Sequence, residues 1–123
     1  MNLSVKQIER KANEHRKTIL KVINRTGKGH VGGAFSCIDI LSALYYGNIL
    51  NISKSTINDP NRNRFLLSKG HACVAQYVIL NDLGFFDNEE LFKMVLIFRH
   101  MWSSVTANVL KAPYGRLLAW LLT

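Results

Sequence analysis

Two histidines stand where a chain could do chemistry. His30 lies among glycines in "TGKGHVGGAFS", residues 26–36, just upstream of a helical segment that Ser36 opens. His71 lies in "LSKGHAC", residues 67–73, after Ser68, Lys69 and Gly70 and at the start of another helical segment. Glycines let a ligand approach the backbone closely, and the free N–H groups of a helix start favour anionic oxygens. A neutral imidazole there can donate or accept a proton beside the anion. A lone glycine-flanked histidine is more often an ordinary loop residue, so the reading rests on the pair. Two such loops facing each other would cradle a phosphate-bearing ligand, with His30, His71, Gly70 and Ser68 as the candidate lining.

The elements that must position these loops can be read from capping and periodicity. Ser4 followed by Gln7 is a capping-box pattern, and Val5, Ile8, Ala12, Ile19 and Ile23 then recur at helical spacing. This predicts a helix over about residues 5–25, basic face outward, ending at Gly27 and Gly29. Ser36 and Asp39 repeat the cap pattern and open "CIDILSALYYGNIL", which is apolar around nearly its whole circumference and so should be buried. "NISKSTINDPNRN" reads as a surface loop. "RFLLS", residues 64–68, fits a short buried parallel strand, which puts His71 at a strand-to-helix junction, where open α/β sheets place ligands. "HACVAQYVILNDLG" reads as a further helix stopped by Gly84, and Asp87 with Glu90 signals another helix start. The fold class is therefore α/β, mostly helical, with one clear parallel-type strand.

Composition narrows the function classes. The chain has 123 residues, 48% of them hydrophobic, which suffices for a packed core. Cys37 and Cys73 lie among apolar neighbours without metal-ligand spacing and read as reduced core residues, which suits a cytoplasmic protein. The formal charge of +8 concentrates before residue 30, on Lys6, Arg10, Lys11, Arg16, Lys17, Lys21, Arg25 and Lys28 against Glu9 and Glu14. Such a run reads as a solvated helix face; no Arg/Lys fork interleaves with aromatics, so nucleic-acid binding rests on charge alone and is the least favoured class. No apolar segment reaches the roughly 18 residues a spanning helix needs, and no secretory h-region is seen, so no membrane role is expected. Tyr45, Tyr46, Phe85 and Phe86 read as packing residues, and His15 and His100 as surface or incidental ones.

Taken in order, "GHVGGAFSCIDILSALYYGNILN" and "NRNRFLLSKGHACVAQYVILNDLGFFDNEEL" resemble the N-terminal segment of transketolases, in particular the N-terminal subunit of the two-chain form. The resemblance covers roughly residues 5–92. It implies a thiamine diphosphate-binding fold, here incomplete. The family holds that cofactor by its diphosphate and a divalent metal, Mg2+, against a pyrimidine-binding C-terminal subunit or a paralogue. It also implies transfer of a two-carbon ketol unit between sugar phosphates, with His30 and His71 lining the cleft near the diphosphate and the sugar, beside Ser68 and Gly70.

The sequence departs from the family after Phe98-Arg99. The family continues to a Gly-His-Pro-Glu loop, then Thr-Gly-Ser-Leu-Gly-Gln-Gly, then Gly-Asp-Gly and a later Asn that hold the metal; none of these is present. No Asp or Glu occurs from Leu91 to Thr123, and a divalent ion on diphosphate oxygens needs a carboxylate. Two units are therefore expected, a transketolase-like segment over 1–92 and a divergent tail over 93–123. The tail is read as a reading frame broken near Phe92 or Lys93. From the third base of the Lys93 codon, any gene encoding "KMVLIFRHMW" specifies Asn or Asp, then Gly, then His or Tyr six residues further on. Without the metal motif, this chain alone is expected to bind cofactor weakly and to have doubtful activity. A non-catalytic remnant docking on a partner subunit is the alternative. With only one strand of a sheet present, apolar faces and an unpaired strand should be left exposed.

Overall fold

A computed structural model describes residues 2–101, with side chains through residue 96. The described residues form five α-helices: α1, Val5–Thr26; α2, Val31–Phe35; α3, Ile38–Tyr46; α4, Cys73–Asp82, entered through a 3-10 turn at Gly70–Ala72; and α5, Asn88–Met101. No helix among the described residues is long and apolar enough to cross a membrane.

Helix α1 begins as its cap pattern predicts. The Gln7 N–H donates to Ser4 Oγ at 3.4 Å and the Ser4 N–H to Gln7 Oε1 at 2.8 Å, so two of the unpaired donors at the helix start are satisfied reciprocally. It ends at Gly27, whose φ of 64° is left-handed and whose N–H closes on the Ile23 carbonyl. Ala12, His15, Ile19 and Val22 are its buried stripe, and it packs on α3 and α4. Helix α4 is the centre of the core: Val74 through Leu80 are all buried, because α1, α2, α3 and α5 each pack against it.

Three expectations are corrected by these elements. First, residues 64–68 form no strand; residues 63–69 have no regular secondary structure, and the described residues hold only an isolated antiparallel bridge between Asn2 and Gly47. Extended backbone becomes a strand only when a neighbouring strand supplies ladder hydrogen bonds, and among the described residues none does. The period-2 pattern survives without the ladder: Phe65 and Leu67 pack on the core, Phe65 edge-on to Tyr45, while Leu66 is 58% exposed. The described part of the chain is thus mostly helical, as expected, but without the expected strand.

Second, the segment from Cys37 to Leu50 is not one all-round buried helix. Helix α3 stops at Tyr46, followed by Asn48 with φ of 59°, and Ile40 is 64% exposed. Ser36 does not open it: its hydroxyl donates back to the Gly33 carbonyl at the end of α2, and Cys37 precedes α3 with no side-chain cap.

Third, His15 is a core residue, 3% exposed. Its Nε2 lies 3.0 Å from Tyr46 Oη, Tyr46 donates to Asp82 at 2.5 Å, and Lys11 Nζ donates to both Asp82 oxygens at 3.0 Å. Since the Tyr46 hydrogen goes to the carboxylate, His15 must be the donor to the Tyr46 oxygen. Burial pushes the His15 pKa down, against the pull of Asp82, and pushes the Tyr46 phenol up. Burial opposes the Asp82 charge, yet the bonds from Tyr46 and Lys11 outweigh it and hold the carboxyl below its usual range. This relay joins α1, α3 and α4 across the core. Tyr45, Tyr46 and Phe86 are buried as expected, and Phe85 packs at the edge. His100 and the tail beyond residue 101 lie outside the described side chains.

Candidate functional site

The left-handed end of α1 turns the chain so that His30 becomes the N-cap of α2, with φ of −117° and ψ of 100°. Its imidazole folds back over the helix start, and Nδ1 accepts the Gly33 N–H at 2.7 Å. Helix α2 is only five residues long because its end closes on itself: the Ser36 N–H reaches the Gly32 carbonyl at 3.0 Å and the Ser36 hydroxyl reaches that of Gly33.

The second loop arrives from the irregular segment 63–69. The Gly70 N–H closes on the Ser68 carbonyl at 3.1 Å, and the Ala72 N–H on that of Lys69 at 3.0 Å, which forms the 3-10 turn carrying His71 into α4. This turn packs on α2. The His30 and His71 rings meet edge to face, with centroids 5.4 Å apart and planes at 68°. Both histidines are exposed, as is Ser68, while Gly70 is half-buried at the start of the turn. The structure therefore brings the two loops together. Ser68 takes part in the turn through its backbone carbonyl.

Lys69 is the residue that sequence reasoning left out of the site. Its ammonium donates to Ser36 Oγ at 2.6 Å, tying the second loop to the first across 33 positions of sequence. The run Ser68-Lys69-Gly70 hinted at it, but only the fold could show that its partner is Ser36. Neither residues 26–36 nor 64–73 contain an Asp or Glu, while Lys28, Arg64 and Lys69 supply positive charge, so the joined loops suit an anion.

The neighbouring thiols are poor nucleophiles. Burial pushes the Cys37 thiol up despite the Lys69 ammonium, and its sulfur donates to the carbonyls of Gly33 and Ala34. Cys73 is likewise pushed up by burial. What the site offers chemically is two imidazoles, an ammonium and a hydroxyl. These can orient anionic or hydroxyl oxygens and move protons; they fit a diphosphate. They do not by themselves fit a divalent ion, and among the described residues no three His, Cys, Asp or Glu side chains gather at metal-holding distance.

The family model for the transketolase, thiamine diphosphate binding domain, matches residues 8–108. A subunit of the apulose-4-phosphate transketolase of Phocaeicola vulgatus is 33% identical over 87 residues, which are 71% of this chain and 31% of that protein. The 6-deoxy-6-sulfo-D-fructose transketolase subunit SqwG of a Clostridium species is 39% identical over 84 residues, covering 68% and 30%. Human transketolase is 30% identical over 83 residues, 68% of this chain and 13% of that enzyme. The chain thus spans about a third of the bacterial subunits it matches. No solved structure matches it. With the family match running through both histidine loops and most of the chain, this protein belongs to the transketolase family, in its thiamine diphosphate binding domain.

Proposed function

We propose that the chain is the N-terminal part of a larger or two-chain thiamine diphosphate enzyme that transfers a two-carbon ketol unit between sugar phosphates. The observation that carries this reading is the meeting of the His30 and His71 rings at 5.4 Å, on two loops without Asp or Glu, inside the region the family model matches. His30, His71, Gly70 and Ser68 would face the diphosphate and the sugar, with the Lys69 ammonium tying the two loops together at the Ser36 hydroxyl. The cofactor, when bound, supplies the electron sink for breaking and making the carbon–carbon bond. The chain's own residues bind oxygens, orient hydroxyls and carry protons between them. Mg2+ would need a carboxylate, which neither histidine loop contains. Two of the bacterial relatives are themselves named as transketolase subunits, which supports a pyrimidine-binding partner chain as the second half of the cleft.

The second reading is a non-catalytic chain that docks on such a partner without turnover. It is favoured by the absence of any Asp or Glu from Leu91 to Thr123, where the family's metal-holding stretch would follow. Titration calorimetry with thiamine diphosphate and Mg2+, with and without a candidate C-terminal subunit, separates the two. Cofactor binding that needs both chains, and weakens in His71→Ala, supports the enzyme. Association of the chains with no cofactor heat at either would leave only docking.

A further inference from the structure

The His30 imidazole accepts a hydrogen bond at Nδ1 from the Gly33 N–H and meets His71 edge to face. A backbone N–H can only donate. Nδ1 must therefore carry a lone pair, and in a neutral imidazole the hydrogen then sits on Nε2. Nε2 has no partner among the described residues, and His30 is exposed, so this N–H is available to a ligand.

Why the bond can form at all is a matter of space. Gly33 is buried, and a Cβ placed on it would lie 2.9 Å from His30 Nδ1, 3.0 Å from His71 Cβ and 3.1 Å from the His71 carbonyl oxygen. The last two belong to the backbone and Cβ of the other loop, which would have to give by a few tenths of an ångström, and the first is the nitrogen that accepts the bond. At Gly32 a Cβ would meet His30 only at 3.6 and 3.9 Å, which is ordinary contact. The two adjacent glycines are thus inequivalent: one lies against the imidazole and the second loop, the other only borders the ring.

We propose that Gly33 is a positioning residue that holds the His30 imidazole in its Nε2–H form, so that His30 offers a hydrogen-bond donor, not a proton acceptor, to an anionic or hydroxyl oxygen arriving beside His71. The missing Cβ lets His30 and His71 approach, and the Gly33 N–H fixes which nitrogen bears the hydrogen. Proton acceptance in this site then falls to a group other than His30. The identity of the incoming oxygen rests on the thiamine diphosphate reading above; the state of the ring does not.

The test is a long-range 1H–15N imidazole spectrum of the labelled full chain at about pH 8, above the ordinary imidazole range, together with exchange of the Gly33 amide. The expected result is an unprotonated-type Nδ1 and a protonated-type Nε2 on His30. Gly33 amide exchange should be slowed about two- to tenfold relative to His30→Ala, the equivalent of one net hydrogen bond. His30→Asn should restore that protection, because an Asn oxygen also accepts at a helix cap. Gly33→Ala should move His30 towards mixed tautomers, and Gly32→Ala should leave it as in the wild type. Hydrogen on Nδ1 in the wild type, or Gly33 protection unchanged in His30→Ala, would overturn the proposal even if Gly33→Ala failed to fold. None of these readouts needs cofactor, partner or turnover, so their failure is separable from failure of the enzymatic reading.

Discussion

Replacing Tyr46 with Phe removes one oxygen from the centre of the core and should cost more than a single hydrogen bond. Tyr46 is 1% exposed, and the ring itself stays in place in the variant. What is lost is the acceptor for His15 Nε2–H and the donor to Asp82. A buried donor left without a partner costs about 1–3 kcal/mol. The Asp82 bond is charge-assisted, but Asp82 is partly solvated and keeps Lys11, so its share is at most about 1 kcal/mol. The sum is about 1–4 kcal/mol, a large part of the stability of a domain this size. Urea unfolding followed by circular dichroism should show a midpoint lowered by about 0.5–2 M with an unchanged slope. The pH arm follows from the direction of the His15 shift. Burial lowers its folded pKa, so below the ordinary value of about 6.5 the unfolded chain binds the extra proton. Wild-type stability is therefore full above that pH and falls as pH drops, by up to about 1.4 kcal/mol per unit, until the folded pKa is passed. A Tyr46→Phe variant within about 0.5 kcal/mol of wild type, or a wild-type stability flat between about pH 7 and 5, would refute the buried relay.

Arg16 and Asp39 form the ion pair between α1 and α3, with Arg16 also lying over the Phe35 ring. Asp39 is well solvated, so a double-mutant cycle through Arg16→Ala and Asp39→Ala should give a coupling of no more than about 1 kcal/mol, reduced by salt. At the level of the gene, the nucleotide sequence through codon 93 should show, in the shifted frame, a Gly followed six residues later by His and then by Glu two further on. An immediate stop codon, or Tyr in place of that His, would remove the broken-frame account of the tail.

The sequence was most informative where structure is decided locally. The start and end of α1 could be read because capping boxes and left-handed glycines act within a few residues, and both features act as the pattern indicated. The α5 start is another such case, with Asp87 Oδ1 accepting the Glu90 N–H at 2.8 Å. His15 was misread although a signal existed: it stands three residues after Ala12 and four before Ile19, on the buried stripe, and its polarity masked its position. Its acceptor, Tyr46, lies 31 residues away, and no periodicity could have supplied it. The strand at 64–68 failed for the opposite reason. Alternation of side chains is a property of the segment, whereas a strand is a property of a pair, and the described residues hold no second member.

The same division runs through the candidate site. Each histidine loop carries its own turn chemistry, so each could be singled out from its own residues: Gly27 turning into His30, and Gly70 opening the turn at His71. What makes them one site is not in either loop. It is the close approach of His71 to the face of α2, which the missing side chain at Gly33 leaves room for, and the reach of Lys69 to Ser36. A glycine between two histidine loops looks in sequence like any other flexible position. In the fold it is a packing position, where one added carbon would press within about 3 Å of His30 Nδ1, His71 Cβ and the His71 carbonyl. Chemistry at His30 is thus set by a residue with no side chain, three positions along the chain, and the inequivalence of Gly32 and Gly33 is the physical form of that dependence.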